Sequence, residues 1–255
     1  MSSMSRLWMA FRGVCGLLLA STGLGVGLSA AAPAPTPETP PLRVCLNEQP
    51  HLPWRFPDAD GRVRKDGLDF FVLDALSQRA AVPITVHLKP WKRCLAELKV
   101  GEQDFILGIS HLPEREEFAV YPERQGRPDE SLALRHERYH WYAMRALPIQ
   151  WDGKQLSSVA TEALVGVQTG YSIANAVREL GLKIDEGART AESNLEKLVR
   201  GRVAVAALQS KEADRVLLAR RDLSSHVQRL EPPCRNAPTT RRFRAPSGTP
   251  TPPGC

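Results

Sequence analysis

The chain has 255 residues, 42% of them hydrophobic and 24% charged, with a mean hydropathy of −0.28. That length holds one large domain or two smaller lobes, and the composition excludes a polytopic membrane protein and a wholly disordered chain. The net charge of +6 sits at the ends: residues 1–32 carry Arg6 and Arg12 without an acid, residues 234–255 carry Arg235, Arg241, Arg242 and Arg244 without an acid, and the body between is neutral. A nucleic-acid binder keeps its basic patch on the folded body, so nucleic acid is set aside as a partner.

The first element is an export signal over residues 1–31. Arg6 and Arg12 form its positive region, Val14–Leu28 is a short, glycine-broken apolar run, and Ser29-Ala30-Ala31 offers small residues for cleavage. The run is too short and interrupted for a membrane anchor, so removal on export is the expectation. Residues 32–41 are a proline-rich linker, extended because proline fixes φ and donates no hydrogen bond. Export permits disulfides. Cys45 and Cys94 lie in the body; a bridge between them is the expectation and two free thiols the alternative, which their Cα separation decides.

From Leu42 onward strands and helices alternate. Leu42–Leu46 reads as a strand, followed by a loop punctuated by Pro50, Pro53, Pro57 and Gly61. Leu68, Val72, Ala75, Leu76 and Arg79 recur at helical spacing, with Asp69 and Asp74 as solvated helix residues. Ile84–Leu88 is a strand, Trp91, Leu95 and Leu98 mark a helix that stops at Gly101, and Phe105–Ile109 is a buried strand. Residues 132–144 alternate as one long strand. Leu164–Val167 begins a second set: a turn at Gln168-Thr169-Gly170, a helix through Ile173 and Leu180, a strand at Lys183–Asp185, a helix opened by a capping box at Ser193–Glu196, a strand at Val203–Leu208 and a helix at Lys211–Arg220. The class is α/β, built as two similar lobes.

No Walker A loop, dinucleotide fingerprint, HExxH or GxSxG occurs. His136 and His140 fall on the long strand, where four residues span about 13 Å; that is too far to share one zinc ion. No metal and no cofactor are expected.

Five motifs in order carry a resemblance over residues 42–231: Gly67-Leu68-Asp69-Phe70; Leu95-Ala96-Glu97-Leu98 through Gly101 and Asp104; Pro113-Glu114-Arg115; Phe118 to Pro122; and Val165-Gly166-Val167-Gln168-Thr169-Gly170. Together they resemble the periplasmic solute-binding proteins of ABC importers, polar amino-acid type. The resemblance implies a two-lobed periplasmic-binding-protein-like (type II) fold. Two crossing strands join the lobes, a cleft between them holds the ligand, and a hinge closes over it. It implies a monomer that takes a small-molecule solute to a membrane permease.

Carried over residue by residue, Arg115 is the arginine that holds a ligand carboxylate through its planar fork. Ser110 is an assisting hydroxyl and Gly108 an ammonium-accepting carbonyl. Gln168, Thr169, Gly170 and Ser172 lie where second-lobe amides meet the same anion. Trp91 is an aromatic cleft residue, and Glu48, His51 and Trp54 stand in the first loop, which lines the pocket. One departure matters: Gln209 stands where the family offers an acid for the α-ammonium group. A neutral acceptor bonds an ammonium more weakly, so the expected solute is carboxylate-bearing rather than an amino acid as such. The alternatives are an enzyme on the same fold, of dehydratase or peptidoglycan-cleaving type, with Glu48 as its general acid, a sensor module, and a non-functional remnant.

The remnant reading comes from the tail. The lobes are assigned as residues 42–133 and 134–215, with residues 216–233 returning to the first lobe. Residues 234–255 hold one large apolar residue, Phe243, and five prolines, and are expected to be disordered. A frameshift accounts for the change: with codons chosen within degeneracy, residues 234–243 read in a shifted frame give PERPYYAAF, close to the family's P-Y-Y-x-x-F. Resequencing the gene tests this.

Overall fold

The computed structural model describes residues 39–244, with side chains described through residue 235. The expected export signal and most of the linker lie outside the described residues, as do residues 245–255. Among the described residues no helix is long and apolar enough to cross a membrane.

In chain order the first half runs β1 (Leu42–Asn47), α1 (Leu68–Ala80), β2 (Ile84–Lys89), α2 (Trp91–Val100), β3 (Phe105–Ser110), α3 (Pro113–Glu116) and β4 (Ala119–Val120). A small ribbon, β5 (Glu123–Arg124) and β6 (Arg127–Pro128), leads to the long β7 (Arg135–Met144). A second ribbon, β8 (Gln150–Trp151) and β9 (Leu156–Ser157), precedes β10 (Leu164–Gln168), α4 (Ile173–Glu179), β11 (Lys183–Ala188), α5 (Ala191–Val199), β12 (Val205–Gln209), α6 (Ser210–Ala219), α7 (Arg221–Ser224) and β13 (Val227–Arg244). The main sheet is ordered β11-β10-β12-β7-β13-β3-β1-β2. Its outer pairs are parallel, while β7 and β13 run antiparallel to their neighbours and to each other and join the two halves.

Alternation along the strands builds two cores per half. In β1, Val44 and Leu46 face one cluster with Phe70, Leu73 and Phe105, while Cys45 faces the other with Cys94, Leu98 and Ile106. In β12, Val205 and Ala207 join Trp141, Val165 and Val177, whereas Ala206 and Leu208 join Tyr142, Leu195 and Leu198. This is the two-residue period of a sheet covered on both faces. β3 breaks the period at Gly108: Phe105 and Leu107 face one cluster, yet Ile106 and Ile109 share the other. Gly108 has φ +76°, and β13 pairs Thr240 with Ile109 and Arg241 with Leu107, skipping it. A glycine bulge resets the register here.

Cys45 and Cys94 are bridged, with Cα atoms 5.5 Å apart. Cys234 is free and half-buried.

Several expectations are corrected. The tail is not disordered as far as residue 244: residues 235–239 pair with β7 and residues 239–243 with β3. A strand with poor intrinsic propensity forms because two neighbours supply its ladder. Residues 216–230 belong to the second lobe, because Val216, Leu223 and Val227 pack in its cluster. Helix α5 opens at Ala191, capped by the Thr190 side chain accepting from the Ser193 amide at 3.1 Å, and not at Ser193. In α1 the buried residues are Asp69, Phe70 and Leu73; Leu68 points outward and Asp74 is exposed. Asp69 is therefore no solvated helix residue.

Candidate functional site

The site is built where strand ends meet across the two lobes. Pro113 at the first turn of α3 has φ already suited to a helix, and the extended Leu112 before it turns the chain sharply. The turn carries Arg115 inward until its side chain is buried. Its guanidinium donates to the Ser110 carbonyl at 2.9 Å and, across the cleft, to the Gly170 carbonyl at 3.1 Å. Tyr121 Oη donates to the same Ser110 carbonyl at 2.7 Å and fixes the strand end. Burial pushes the Arg115 proton affinity down, but an arginine stays charged in protein.

Asn47, His51, Arg55, Trp91, Gly108, Ser110 and Arg115 line an inner chamber from the first lobe and its strand ends. Arg135 and Tyr139 of β7 line it with Tyr171, Ser172 and Gln209 of the second lobe. Its volume is about 30 Å³, room for a water or two, or for one small polar group. Seven of the sequence candidates converge there: His51, Trp91, Gly108, Ser110, Arg115, Ser172 and Gln209. Gln209 Nε2 donates to Tyr139 Oη at 3.1 Å. Ser172 Oγ is buried without an aligned hydrogen bond among the described residues.

Five candidates stand elsewhere. Glu48 lies outside the chamber in an ion pair with Arg189, 3.1 Å away. Trp54 lies under the Arg135 guanidinium, 4.5 Å from the ring centroid. Gln168 donates to Glu212 at 2.8 Å. The Thr169 hydroxyl donates to the backbone carbonyls of Glu186 at 2.6 Å and Ala188 at 3.1 Å. The Gly170 carbonyl accepts from Trp91 Nε1 at 3.2 Å and from Arg115.

The electrostatics come from residues the sequence reading missed. Asp69, 1% exposed, holds two buried arginines: Arg55 on Oδ2, and Arg135 on Oδ1 at 2.9 Å. Arg135 Nε also lies 2.9 Å from Glu137. His51 Nδ1 meets Glu212 of the second lobe at 2.6 Å, and its Nε2 lies 3.2 Å from Glu137. Burial alone would depress the His51 proton affinity, but the two carboxylates outweigh it and raise it. Glu137 and Glu212 are held below the usual carboxylate range by the same imidazolium, against their burial.

The lining therefore contains four cationic groups and no carboxylate among the described residues. Asp69, Glu137 and Glu212 stand behind it and compensate Arg55, Arg135 and His51. Arg115 is left without a carboxylate within ion-pair distance among the described residues. A buried cation lacking its counter-ion is a place for an anion. Among the described residues no group of three or more His, Cys, Asp or Glu side chains is placed to hold a metal ion.

The strand order, crossing strands and interlobe chamber define a two-lobed, periplasmic-binding-protein-like fold. Comparison with solved structures agrees. The sensor domain of a histidine kinase with similarity to periplasmic binding proteins superposes with a TM-score of 0.61 at 14% identity, over 82% of this chain and 85% of that one. The substrate-binding protein of an amino-acid ABC transporter gives 0.60 at 15%, over 81% and 85%. An ancestral amino-acid-binding protein, a precursor of cyclohexadienyl dehydratase, gives 0.54 at 18%, over 80% and 81%. No family model and no curated protein matches the chain. The fold alone hosts sensing, transport and the ancestry of an enzyme, so function must be argued from the site.

Proposed function

We propose that the chain is an exported, monomeric solute-binding protein of the periplasm. It captures a small carboxylate-bearing solute between its lobes and presents the closed form to the membrane permease of an ABC importer. One observation carries this reading: Arg115 is buried in the chamber wall with no carboxylate partner among the described residues. Its fork suits two parallel bonds to a carboxylate, and the Ser110 and Ser172 hydroxyls stand in the same lining. With Gln209 and no acid in the lining among the described residues, an α-ammonium group has no charged partner there, which favours acids over zwitterions. The same lack disfavours the enzymatic reading, since Glu48, its general-acid candidate, is paired with Arg189 outside the chamber.

Contacts across the cleft describe how closure is held. Besides Arg115 and Trp91 on the Gly170 carbonyl, Asn47 donates to Tyr171 Oη at 3.2 Å, Asn175 donates to Glu114 at 2.6 Å, and His51 meets Glu212. The test is a thermal-melt screen of the exported chain against amino acids, polyamines, carboxylates and sugars. A solute at a hundredfold excess over its Kd adds about 2.7 kcal/mol to the native state. Carboxylates are expected to raise the melt, Arg115→Ala to abolish the rise, and the recovered solute to be chemically unchanged. A rise that survives Arg115→Ala, or turnover of the solute, refutes the reading.

A further inference from the structure

The inner chamber holds little more than one carboxylate, so the rest of any solute lies in adjoining space. His51 is the wall it shares with an outer chamber of about 370 Å³, between the Gln49–Leu52 loop and the second-lobe helices α5 and α6. That volume falls in the range of small-molecule sites, about 300–1,000 Å³. Leu52, Val216 and Ala219 give it apolar wall. Lys211 and Arg215, one turn apart on α6, stand on the same face of the helix and also line it. The other charges in this wall are matched: Arg220 pairs with Glu192, and Glu212 with His51. Lys211 and Arg215 have no carboxylate within ion-pair distance among the described residues.

A second groove, of about 330 Å³, lies on the far side of Arg115. Two of its cations are already neutralised, Arg178 by Glu186 and Lys99 by Glu117. Among the described residues, Lys92 is the one that remains besides Arg115 itself. The paired, unspent cations and the shared His51 wall both point to the outer chamber.

We infer that the solute is an elongated dicarboxylate: one carboxylate on Arg115 in the inner chamber, an apolar spacer passing His51, and the second carboxylate on Lys211 and Arg215. The inference rests on the reading of Arg115 above. It sets the solute's charge by two separate cation sites on either side of the shared His51 wall, the outer one flanked by Leu52, Val216 and Ala219.

The test is isothermal calorimetry on the full exported chain with glutarate, adipate, pimelate and suberate, each against the monocarboxylate of the same carbon count. At least one dicarboxylate is expected to bind roughly tenfold or more tighter than its monocarboxylate, as a charged hydrogen bond allows. Lys211→Gln and Arg215→Gln should each erase most of that advantage and leave the monocarboxylate affinity unchanged. Both residues are exposed on the helix, and an unchanged melt without solute verifies the fold. Lys92→Gln should change nothing. Equal binding of the two acids, or loss of the advantage in Lys92→Gln instead, overturns the inference while the Arg115 reading stands. Binding of dicarboxylates that is indifferent to Arg115→Ala overturns the reading beneath it, and no binding of either series overturns both.

Discussion

Asp69→Asn isolates the electrostatic frame behind the chamber. The substitution keeps the side-chain volume but removes the charge that Arg55 and Arg135 share. Both arginines are less than 8% exposed and Asp69 is 1% exposed, so water cannot replace the carboxylate. Breaking one partner out of a buried ion pair costs about 3–5 kcal/mol, because the remaining charge stays buried and uncompensated. For a chain of this size each kcal/mol moves the midpoint by about 2–4 °C, so the melt should fall by roughly 6–20 °C. Asp74→Asn on the same helix is the control: Asp74 is exposed, and its change should stay within about 0.5 kcal/mol. Thermal unfolding followed by circular dichroism at neutral pH reads both. The reasoning fails if Asp69→Asn melts within about 2 °C of the wild type, or if the two variants are alike.

Three further outcomes follow from the same geometry. His51 binds its proton more tightly in the folded state than its ordinary 6.5, so its contribution is full below pH 6.5 and is lost as pH rises through the folded-state value. Glu137 and Glu212, held below 4.5, contribute above pH 4.5 and lose that contribution as pH falls through their folded-state values. The melting temperature should therefore peak between these limits, and His51→Gln should flatten the alkaline side; parallel wild-type and variant curves would sink the assignment. Replacing Cys45 and Cys94 by Ala opens a crosslink spanning 49 residues, which loop closure values at about 4 kcal/mol; a melt unchanged by the double variant would show that the bridge adds no stability. Gly108→Ala places a methyl group against the Arg135 guanidinium on a backbone with φ +76°, so carboxylate affinity should drop about tenfold or more, measured by calorimetry; wild-type affinity would mean that Arg135 does not shape the chamber.

Much of the fold was legible because its signals are local. β-rich runs of five or six residues alternated with helical spacing, and Gly101 ends α2 in the left-handed conformation, as a glycine stop does. Arg115, Ser110 and Gly108 were named from a contiguous motif at the end of one strand, and all three line the inner chamber. Of the four sequence candidates in the Gln168–Ser172 turn, Ser172 lines the inner chamber and the other three do not. What a turn's backbone meets in the cleft depends on the opposite lobe, and here Trp91 and Arg115 donate to the Gly170 carbonyl.

The sequence by itself determined the alternation of strands and helices, the neutral body, the short Pro-Glu-Arg turn that aims Arg115, and the neutral Gln209 where an acid was expected. Only the tertiary structure decided that Asp69 is buried between Arg55 and Arg135, that His51 meets Glu212, 161 positions away, and that residues 235–243 form a strand. The physical reason is common to all three. The state of a charged group, or of a backbone with weak propensity, is set by its partners, and those partners come from distant segments that no local pattern names.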